Sequence, residues 1–330
     1  MGVKKGIYFG TAFSLLVFTM ILSISAGAVK IPLQEILNVF LGGGSETSRT
    51  IILNLRFPRA IESAIVGMGL SVVGTFFQGL LRNPMADPYV LGVSSGAAFG
   101  ATIAIILGLG IFGLSFMAFI TSLMTVFFVY TISKTGTRVS MTTMLLAGIA
   151  ISAFMSAIIS LMMLLNHDEF SQIVFWTMGG FSLINWNHVA YSTPVILIGS
   201  FVMYVFSRDV NAILTGEEVA EHLGVNTELV KKIILITGSL VTATAVSVGG
   251  IIGFVGLIVP HISRLIVGPD NRILVPFSAI SGAIFLTFAD LLARIILKPM
   301  EIPIGIITAA FGGPFFLYLL IKSKQKSEGM

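Results

Sequence analysis

The chain has 330 residues, of which 55% are hydrophobic and only 10% charged. This composition excludes an ordinary soluble domain and is typical of an α-helical protein that crosses the membrane several times. Cysteine is absent, which excludes a disulfide framework and a thiolate metal site, and the net charge of +4 is informative only loop by loop. The 35 glycines fit the same class, because small residues let membrane helices approach closely.

Apolar stretches long enough to cross a bilayer recur along the whole chain. The first follows Lys4 and Lys5, exceeds the apolar region of a signal peptide, and is predicted to stay as a membrane helix. An amphipathic piece from Ile31 to Leu41 is too short to span and is predicted to lie at the interface. We predict an all-α bundle, one transmembrane domain over 1–330, with about ten spans at 7–28, 57–81, 91–110, 114–133, 141–165, 188–207, 230–249, 252–267, 273–296 and 303–321.

The distribution of lysine and arginine predicts the orientation of this bundle. An even number of spans puts both termini on one side, and cytoplasmic termini place thirteen of the 19 Lys and Arg residues inside. That excess is what the positive-inside rule requires, so the topology is predicted to be N-in and C-in. The six basic residues left outside are Lys30, Arg49, Arg56, Arg59, Arg294 and Lys298.

Three of the outer arginines, Arg56, Arg59 and Arg294, stand at the ends of long predicted helices. One interpretation is that they snorkel to lipid headgroups, and for Arg294 another is an i,i+4 ion pair with Asp290. The functional interpretation is capture of carboxylates on an acidic soluble partner, for which the bidentate guanidinium is suited. The residues alone leave these interpretations open.

The longest polar excursion on the predicted inner side runs from Asn211 to Asn226. It is either a solvated surface helix that joins two spans or a short helix that docks into a groove on a cytosolic protein. Its candidate contact residues combine a small apolar face with acidic residues and glycine breaks, and they are Gly216, Glu217, Glu218, Val219, Ala220, Leu223 and Gly224.

Short motifs are spread along nearly the whole chain in the order and at the spacing of one transporter family. They are RFPR (56–59), QGLLRNPMADP (78–88), LGVSSG (91–96), WTMGG (176–180), GE (216–217), LG (223–224), GFVGLIVPH (253–261), AD (289–290) and EIPIG (301–305). Through them the chain resembles the permease subunits of ATP-binding-cassette (ABC) importers for iron–siderophores, haem and vitamin B12. Any one motif is weak, but together they are specific.

The resemblance implies a ten-helix permease that pairs with a second permease chain around a central translocation path, a homodimer being favoured over a heterodimer. It implies that Arg56, Arg59 and Arg294 grip a glutamate on each lobe of an extracytoplasmic substrate-binding protein. It also implies that the segment within about 211–228 matches the coupling helices that sit on cytosolic ATPase subunits.

The fifth span, by the same resemblance, lines the translocation path. Its inner end at Met141 and Thr142, together with Asn83 and Met85, matches the cytoplasmic gate. The vitamin B12 permease has small polar residues at this gate, whereas this chain has Met141.

The residues themselves give less support to other classes of function. No Gly-x-x-x-x-Gly-Lys-Ser/Thr loop is present, so the chain is not predicted to hydrolyse ATP. An ion-gradient-driven carrier or channel remains the main alternative, but a carrier buries several ionisable groups at mid-membrane, and the spans hold few beyond Glu62 and Asp290. A membrane enzyme lacks a catalytic cluster, since His167 and Asp168 are too few ligands for a metal site.

The predicted function is therefore the permease subunit of an importer that moves an iron–siderophore or related metal chelate across the cytoplasmic membrane. Haem and vitamin B12 stay as alternative substrates, because in this family the binding protein does most of the choosing. The predicted partners are the ATPase subunits, the binding protein, a second permease and membrane lipid. No catalytic, metal, cofactor or nucleic-acid site is predicted.

Overall fold

The structure is a computed structural model that describes residues 2–27, 29, 31–135 and 138–328. Lys30, one of the six predicted outer basic residues, lies outside the described residues. The described helices are α1 (Gly2–Ser25), α2 (Leu33–Phe40), α3 (Glu46–Thr50), α4 (Phe57–Leu80), α5 (Val93–Ile106), α6 (Gly110–Ser133), α7 (Met141–Leu165), α8 (Phe170–Thr177), α9 (Trp186–Val205), α10 (Ser207–Thr215), α11 (Glu217–His222), α12 (Thr227–Gly249), α13 (Val255–Val267), α14 (Asn271–Ile295) and α15 (Ile304–Glu328).

The remaining regular structure is short. A π-helical turn covers Ile51–Arg56, and a 3₁₀ turn covers Pro88–Leu91. Two strands of two residues each, β1 (Lys134–Thr135) and β2 (Arg138–Val139), form an antiparallel pair between α6 and α7. The all-α fold class predicted from the sequence is confirmed.

Each of the ten predicted spans coincides with a helix. Among the described residues, seven helical runs are long and apolar enough to cross a membrane, and three predicted spans are shorter apolar helices, namely α5, α13 and the apolar part of α15 from Ile304 to Tyr318. The segment predicted to lie at the interface forms α2. The protein is thus a multi-pass membrane protein in which some crossings are shorter than a full span.

The second span begins earlier than predicted. Helical turns run without interruption from Glu46 to Leu80, so α3, the π-helical turn and α4 form one 35-residue rod. Pro58, near the start of α4, has no N–H to donate. The helix widens to a π-helical turn just before it, where the N–H of Phe57 donates to the carbonyl oxygen of Ile52, five residues back. The arginines flanking Pro58 therefore lie within a helical rod and not at its first turn.

Two of the short helices begin inside the bundle. The backbone before α5 turns at Gly92 with φ +79°, and the backbone before α13 turns at Phe254 with φ +69°. The two turns meet, because the Tyr89 hydroxyl donates to the carbonyl oxygen of Ile252 at 3.1 Å. Irregular backbone at this depth requires burial inside protein, and Leu91 and Ile252 are each only 1% exposed.

The centre of the bundle is α4, which packs against α14, α13, α9 and α12. Close approach of backbones makes this packing possible. A Cβ added to Gly74 would lie 1.9 Å from the carbonyl oxygen of Gly256, and one added to Gly67 would lie 2.3 Å from that of Gly282. Small residues serve this purpose in membrane bundles, where apolar surface alone does not drive helices together.

Contacts between elements define two ends of the bundle. At the outer end, the terminus of α1 meets the terminus of α14, and the start of α15 meets the segment after α8. At the inner end, α10 is tied to the turn before α14, where Asn211 Nδ2 donates to Asp270 Oδ1 at 2.7 Å. The first residues of α1 and the last residues of α15 therefore lie at the inner end, as an even number of crossings requires.

Candidate docking and coupling sites

Arg59 lies at the outer end between two carboxylates. Its Nε donates to Asp290 Oδ1 at 2.9 Å, and its Nη2 lies 2.9 Å from the same oxygen. Its Nη1 donates to both oxygens of Glu301, at 3.1 and 2.9 Å. All three nitrogens of the guanidinium are thus engaged inside the chain, in the charge-assisted geometry that arginine forms best.

Arg294 binds the other side of the same buried aspartate. Its Nε lies 3.1 Å from Asp290 Oδ2, which confirms the i,i+4 pair considered from the sequence. Its Nη2 donates to the carbonyl oxygen and the hydroxyl of Ser23, and its Nη1 donates to the carbonyl oxygen of Ala26. Arg294 therefore joins α14 to the end of α1.

Arg56 also holds the end of α1. Its Nη1 donates to the carbonyl oxygens of Ile24 and Ser25 at 2.9 Å, and its Nη2 donates to that of Val29. These carbonyls belong to the last turn of α1 and the residues after it, where helix acceptors lack intrahelical donors and the helix dipole favours a cation. Arg56 acts here as a cap for α1.

The structure thus brings the three predicted arginines into one group with two carboxylates. We call Arg56, Arg59, Arg294, Asp290 and Glu301 the outer cluster; its formal charge is +1. The arginines are 7%, 9% and 6% exposed, so in this conformation they neither reach out to headgroups nor present an open surface.

Glu301 is the most accessible member of the outer cluster, with 40% of its side chain exposed. It follows α14 in a loop and also accepts a hydrogen bond from the Ser182 hydroxyl at 2.6 Å. Partial burial raises the pKa of Glu301, but the Arg59 guanidinium and the Ser182 hydroxyl outweigh it and hold the pKa below its usual value. Sequence reasoning missed the Arg59–Glu301 pair, because 242 residues separate the partners.

A cavity of about 410 Å³ adjoins the outer cluster. Its wall combines polar groups with aromatic surface, and among its lining residues are Arg59, Phe175, Trp176, Ser182, His188 and Glu301. A site of this size, mostly apolar with a few convergent polar groups, is typical of small-molecule binding. No group of three or more metal-ligating side chains occurs among the residues that the structure describes.

At the inner end, the predicted polar excursion forms α10 and α11, which are separated by Gly216 with φ +147°. The predicted apolar face is split between the two sides of α11. Val219 and Leu223 are 49% and 70% exposed, whereas Ala220 is fully buried against the bundle. Ala220 therefore anchors α11, and only Val219 and Leu223 present apolar surface outward.

An ion pair fixes α11 to α12. Lys231 Nζ lies 2.5 Å from Glu217 Oε2 and 3.1 Å from Glu228 Oε1, and the lysine is only 7% exposed. Glu218 is exposed, and Gly224 ends the segment with φ +85°. Glu217 thus faces its own chain, while Glu218 faces outward.

The predicted gate residues lie on two neighbouring inner segments. Asn83 and Met85 belong to the turn after α4, where Asn83 Oδ1 accepts from the Met85 N–H at 2.9 Å. Met141 and Thr142 form the first turn of α7, and Met141 packs against the main hydrophobic core. Helix α7 in turn packs against the 3₁₀ turn that follows Asn83 and Met85.

The bundle combines apolar crossings, two backbone turns in its interior, polar surface at its inner end and buried charge at its outer end. These features define a multi-pass membrane protein. The chain matches the FecCD transport family over residues 15–322, and it belongs to that family. It is accordingly a permease of the ABC importer class in the inner membrane.

Relatives cover nearly the whole chain. It is 42% identical over 332 residues to the ABC transporter permease protein YvrB of Bacillus subtilis (strain 168), which covers 96% of this chain and 94% of that protein. It is 44% identical over 279 residues to the cobalamin import system permease protein BtuC of Halobacterium salinarum, covering 84% of this chain and 75% of that protein. With the hemin transport system permease protein HmuU of Yersinia pestis the identity is 34%, over 99% of each chain.

A solved structure has the same fold. A transporter described as a metal-chelate type ABC transporter, in an inward-facing conformation, superposes with a TM-score of 0.87 at 32% identity, covering 96% of this chain and 99% of the other. The resemblance inferred from the motifs is therefore confirmed, and so are the class of transporter and the membrane location.

Proposed function

We propose that this permease moves an iron–siderophore or related metal chelate across the cytoplasmic membrane, receives it from an extracytoplasmic binding protein, and is driven by separate ATPase subunits. The observation that carries the proposal is the similarity over nearly the whole chain to permeases named for iron–hydroxamate, haem and cobalamin, and to a structure of metal-chelate type. We treat 1–330 as one permease domain.

Uptake in a strain lacking this gene tests the substrate. Radiolabelled ferric hydroxamate, haem and cobalamin are supplied in turn, and the gene is restored on a plasmid. We expect restored uptake of the ferric hydroxamate. Restored uptake of haem or cobalamin alone would move the proposal to another substrate of the same family, and no restored uptake of any of the three would contradict it.

The outer arginines are proposed to receive the binding protein. The outer cluster has one more cation than anions, it lies at the outer end, and Arg59 lines the adjoining cavity. Its arginines are engaged with internal partners, so docking at Arg59 or Arg294 exchanges or adds to existing contacts. Because these arginines are largely buried, a carboxylate that reaches Arg59 or Arg294 forms a partly buried pair, which affects the dissociation rate and the register of docking as well as the association rate.

An Arg56→Lys/Arg59→Lys double variant in lipid discs tests docking. Lysine keeps the charge but cannot supply the bidentate fork, so we expect weaker binding of the purified binding protein at every salt concentration, while rising salt weakens binding by the wild type and the variant alike. Arg49→Lys, at an exposed arginine of α3 on the same side, is the matched control. Wild-type affinity of the double variant across the salt series would leave the arginines as structural anchors of α1 and α14.

The inner segment 211–228 is proposed to contact the ATPase. Glu218, Val219 and Leu223 point outward and form the contact surface, while Glu217 and Ala220 hold α11 against the bundle. Gly216 and Gly224 allow the turns that set α11 apart from its neighbours. The complete transporter is proposed to contain two permeases and two ATPases.

The gate is proposed to form where the turn after α4 meets the start of α7. Asn83 and Met85 lie on the first segment and Met141 and Thr142 on the second. Thioether and hydroxyl side chains at this position suit a large chelate that passes through without tight binding.

An ion-gradient-driven carrier gains no support from the buried carboxylates. Asp290 is fully buried, but Arg59 and Arg294 hold it on both sides. Glu62 is also fully buried and accepts a hydrogen bond from the Ser192 hydroxyl at 2.9 Å. A lone carboxylate does not make the relay of several ionisable groups that such carriers use.

A further inference from the structure

We propose that Glu301 is an internal stand-in for the carboxylate of the binding protein. In the undocked permease Glu301 occupies Arg59, and docking replaces it with a carboxylate of the partner and releases the loop 296–303. The inference rests on the proposed docking at Arg59 and adds to it the residue that must leave.

Only the Glu301 side of the Arg59 guanidinium is open to an exchange of carboxylates. Its Nε and Nη2 face Asp290, which is fully buried and is held from the other side by Arg294. Its Nη1 faces Glu301, at 3.1 and 2.9 Å from the two carboxylate oxygens. Asp290 is beyond the reach of a partner outside the membrane, so an incoming carboxylate that binds Arg59 has to take the place of Glu301.

The exposure of the two acids also indicates that Glu301, and not Asp290, is the partner that leaves Arg59. The side chain of Glu301 is 40% exposed, whereas that of Asp290 is 0% exposed. Glu301 also sits in a loop, with α14 ending at Ile295 and α15 beginning at Ile304. A loop residue can move away without unfolding a helix, which Asp290, within the last two turns of α14, cannot do.

Burial of Arg59 explains why an internal carboxylate is needed. The residue is 9% exposed, and a buried guanidinium without its full set of partners is strongly disfavoured. Glu301 completes the set before docking, and the partner completes it afterwards. Because one carboxylate replaces another, the contacts of Arg59 are nearly equivalent in the two states, and the exchange is reversible.

Release of Glu301 also changes the wall of the adjoining cavity. Glu301 accepts from Ser182, and both residues line that cavity. The chain after Glu301 is tied to the cavity wall as well, since the Ile304 N–H donates to the carbonyl oxygen of Gly179, and the Gly305 N–H donates to that of Met178. On this proposal, docking at Arg59 loosens the wall of the adjoining cavity.

Three variants separate this inference from its alternatives. Glu301→Gln keeps the shape of the side chain and an acceptor for Ser182 but weakens its hold on Arg59. Ser182→Ala removes the hydroxyl and keeps the Arg59–Glu301 pair. Arg59→Gln removes the proposed docking group. Each is placed in lipid discs, and its affinity for the purified binding protein is measured.

We expect Glu301→Gln to bind the partner more tightly, by roughly three- to five-fold, as the loss of one competing partly exposed pair implies. Ser182→Ala removes the weaker of the two contacts that hold Glu301, so it should tighten binding by less than Glu301→Gln does, and Arg59→Gln should bind more weakly. Unchanged binding by Arg59→Gln would overturn the docking proposal itself. Weaker binding by Arg59→Gln with unchanged or weaker binding by Glu301→Gln would overturn the exchange and leave docking intact.

A dye attached beside Glu301, with the outer cluster itself unchanged, gives a second measurement of whether the loop is released. The chain has no cysteine, so Met300→Cys offers a single site for an environment-sensitive dye, and this residue is 69% exposed beside Glu301. We expect the binding protein to change the dye signal, and we expect Glu301→Gln to shift the signal before any partner is added. A signal unaffected by saturating binding protein would contradict release of the loop.

Discussion

At the scale of single residues, charge and size act in different parts of the bundle. The arginines of the outer cluster stabilise helix ends and ion pairs, whereas glycines decide how closely the central helices approach. The Asp290–Arg294 pair could be predicted, because i,i+4 spacing places two side chains on one helix face. The Arg59–Glu301 pair could not, since sequence spacing carries no information about partners on α4 and the loop before α15.

Gly74 offers the sharpest test of helix packing. A Cβ at this position would lie 1.9 Å from the carbonyl oxygen of Gly256, and backbone cannot move aside cheaply. We expect Gly74→Ala to destabilise the folded permease by about 1–3 kcal/mol, the range for overpacking. Thermal unfolding in detergent, followed by the loss of monodisperse protein, measures it.

Gly10 in α1 provides the matched control. A Cβ added there meets nothing within 4 Å, so Gly10→Ala should leave the unfolding temperature unchanged or slightly raised by better helix propensity. Equal stability of the Gly74 and Gly10 variants would show that α4 and α13 do not approach as closely as the structure indicates.

At the scale of helices, hydrophobic length predicted a helix at each of the ten expected crossings, of which seven among the described residues are long and apolar enough to span a membrane. It did not reveal that α5 and α13 begin within the bundle, because Gly92 and Phe254 turn the backbone inside otherwise apolar sequence. Nor did it reveal the helical turns before α4, since the stretch from Glu46 to Thr50 is polar and its helix is fixed by the Ser45 cap.

The side chains of α11 show a further limit of sequence reasoning. A helical pattern placed Val219, Ala220 and Leu223 on one apolar face. In the folded chain Ala220 packs inward, and the neighbouring α12 holds Glu217 through Lys231. Periodicity identifies a face, but the packing partner decides which part of that face remains exposed.

Leu223 tests the role of α11 in coupling. It is 70% exposed, so Leu223→Asp should leave insertion and folding intact. We expect ATP hydrolysis to persist and transport to fall, because a buried charge would weaken seating of α11 in an apolar groove of the ATPase. Transport and ATPase rates in the same reconstituted vesicles measure both effects.

Leu37→Asp is the control for this experiment. It changes a residue that is also exposed, at 55%, but lies on α2 between α1 and the rod that begins at Glu46. It should leave the ratio of transport to hydrolysis unchanged. Normal transport by Leu223→Asp would rule out α11 as the coupling element.

At the scale of the whole molecule, several of the described helices leave large apolar faces uncovered, α7 and α15 among them. The exposed residues of α7 include Leu146, Phe154 and Leu161, and those of α15 include Phe311 and Leu317. Lipid covers such surfaces in part, and the ABC importer class implies a second permease that covers more of them. The sequence indicated this assembly only through its resemblance to the family, since apolar composition does not distinguish lipid-facing from partner-facing helices.

The assembly prediction is two identical permeases with two ATPases. Native mass spectrometry of the detergent-extracted complex, purified through a tagged ATPase, gives the stoichiometry directly. We expect one mass for the permease, present twice. An active complex with a single permease chain, or with two different permeases, would contradict the homodimer.

The proposed gate consists of uncharged side chains, namely Asn83, Met85, Met141 and Thr142, which suit several chelates equally well. Relatives of this chain are named for several different chelates. The class of transporter follows from the bundle, its motifs and its membership of the family.

The most direct test of the central claim is the source of energy for transport. The permease is reconstituted into liposomes with its ATPase subunits and binding protein, and uptake of labelled ferric hydroxamate is measured with ATP on the ATPase side. We predict accumulation that requires ATP, the ATPase and the binding protein together, and none from a proton or sodium gradient applied to the permease alone. Accumulation by the lone permease under such a gradient would contradict the account.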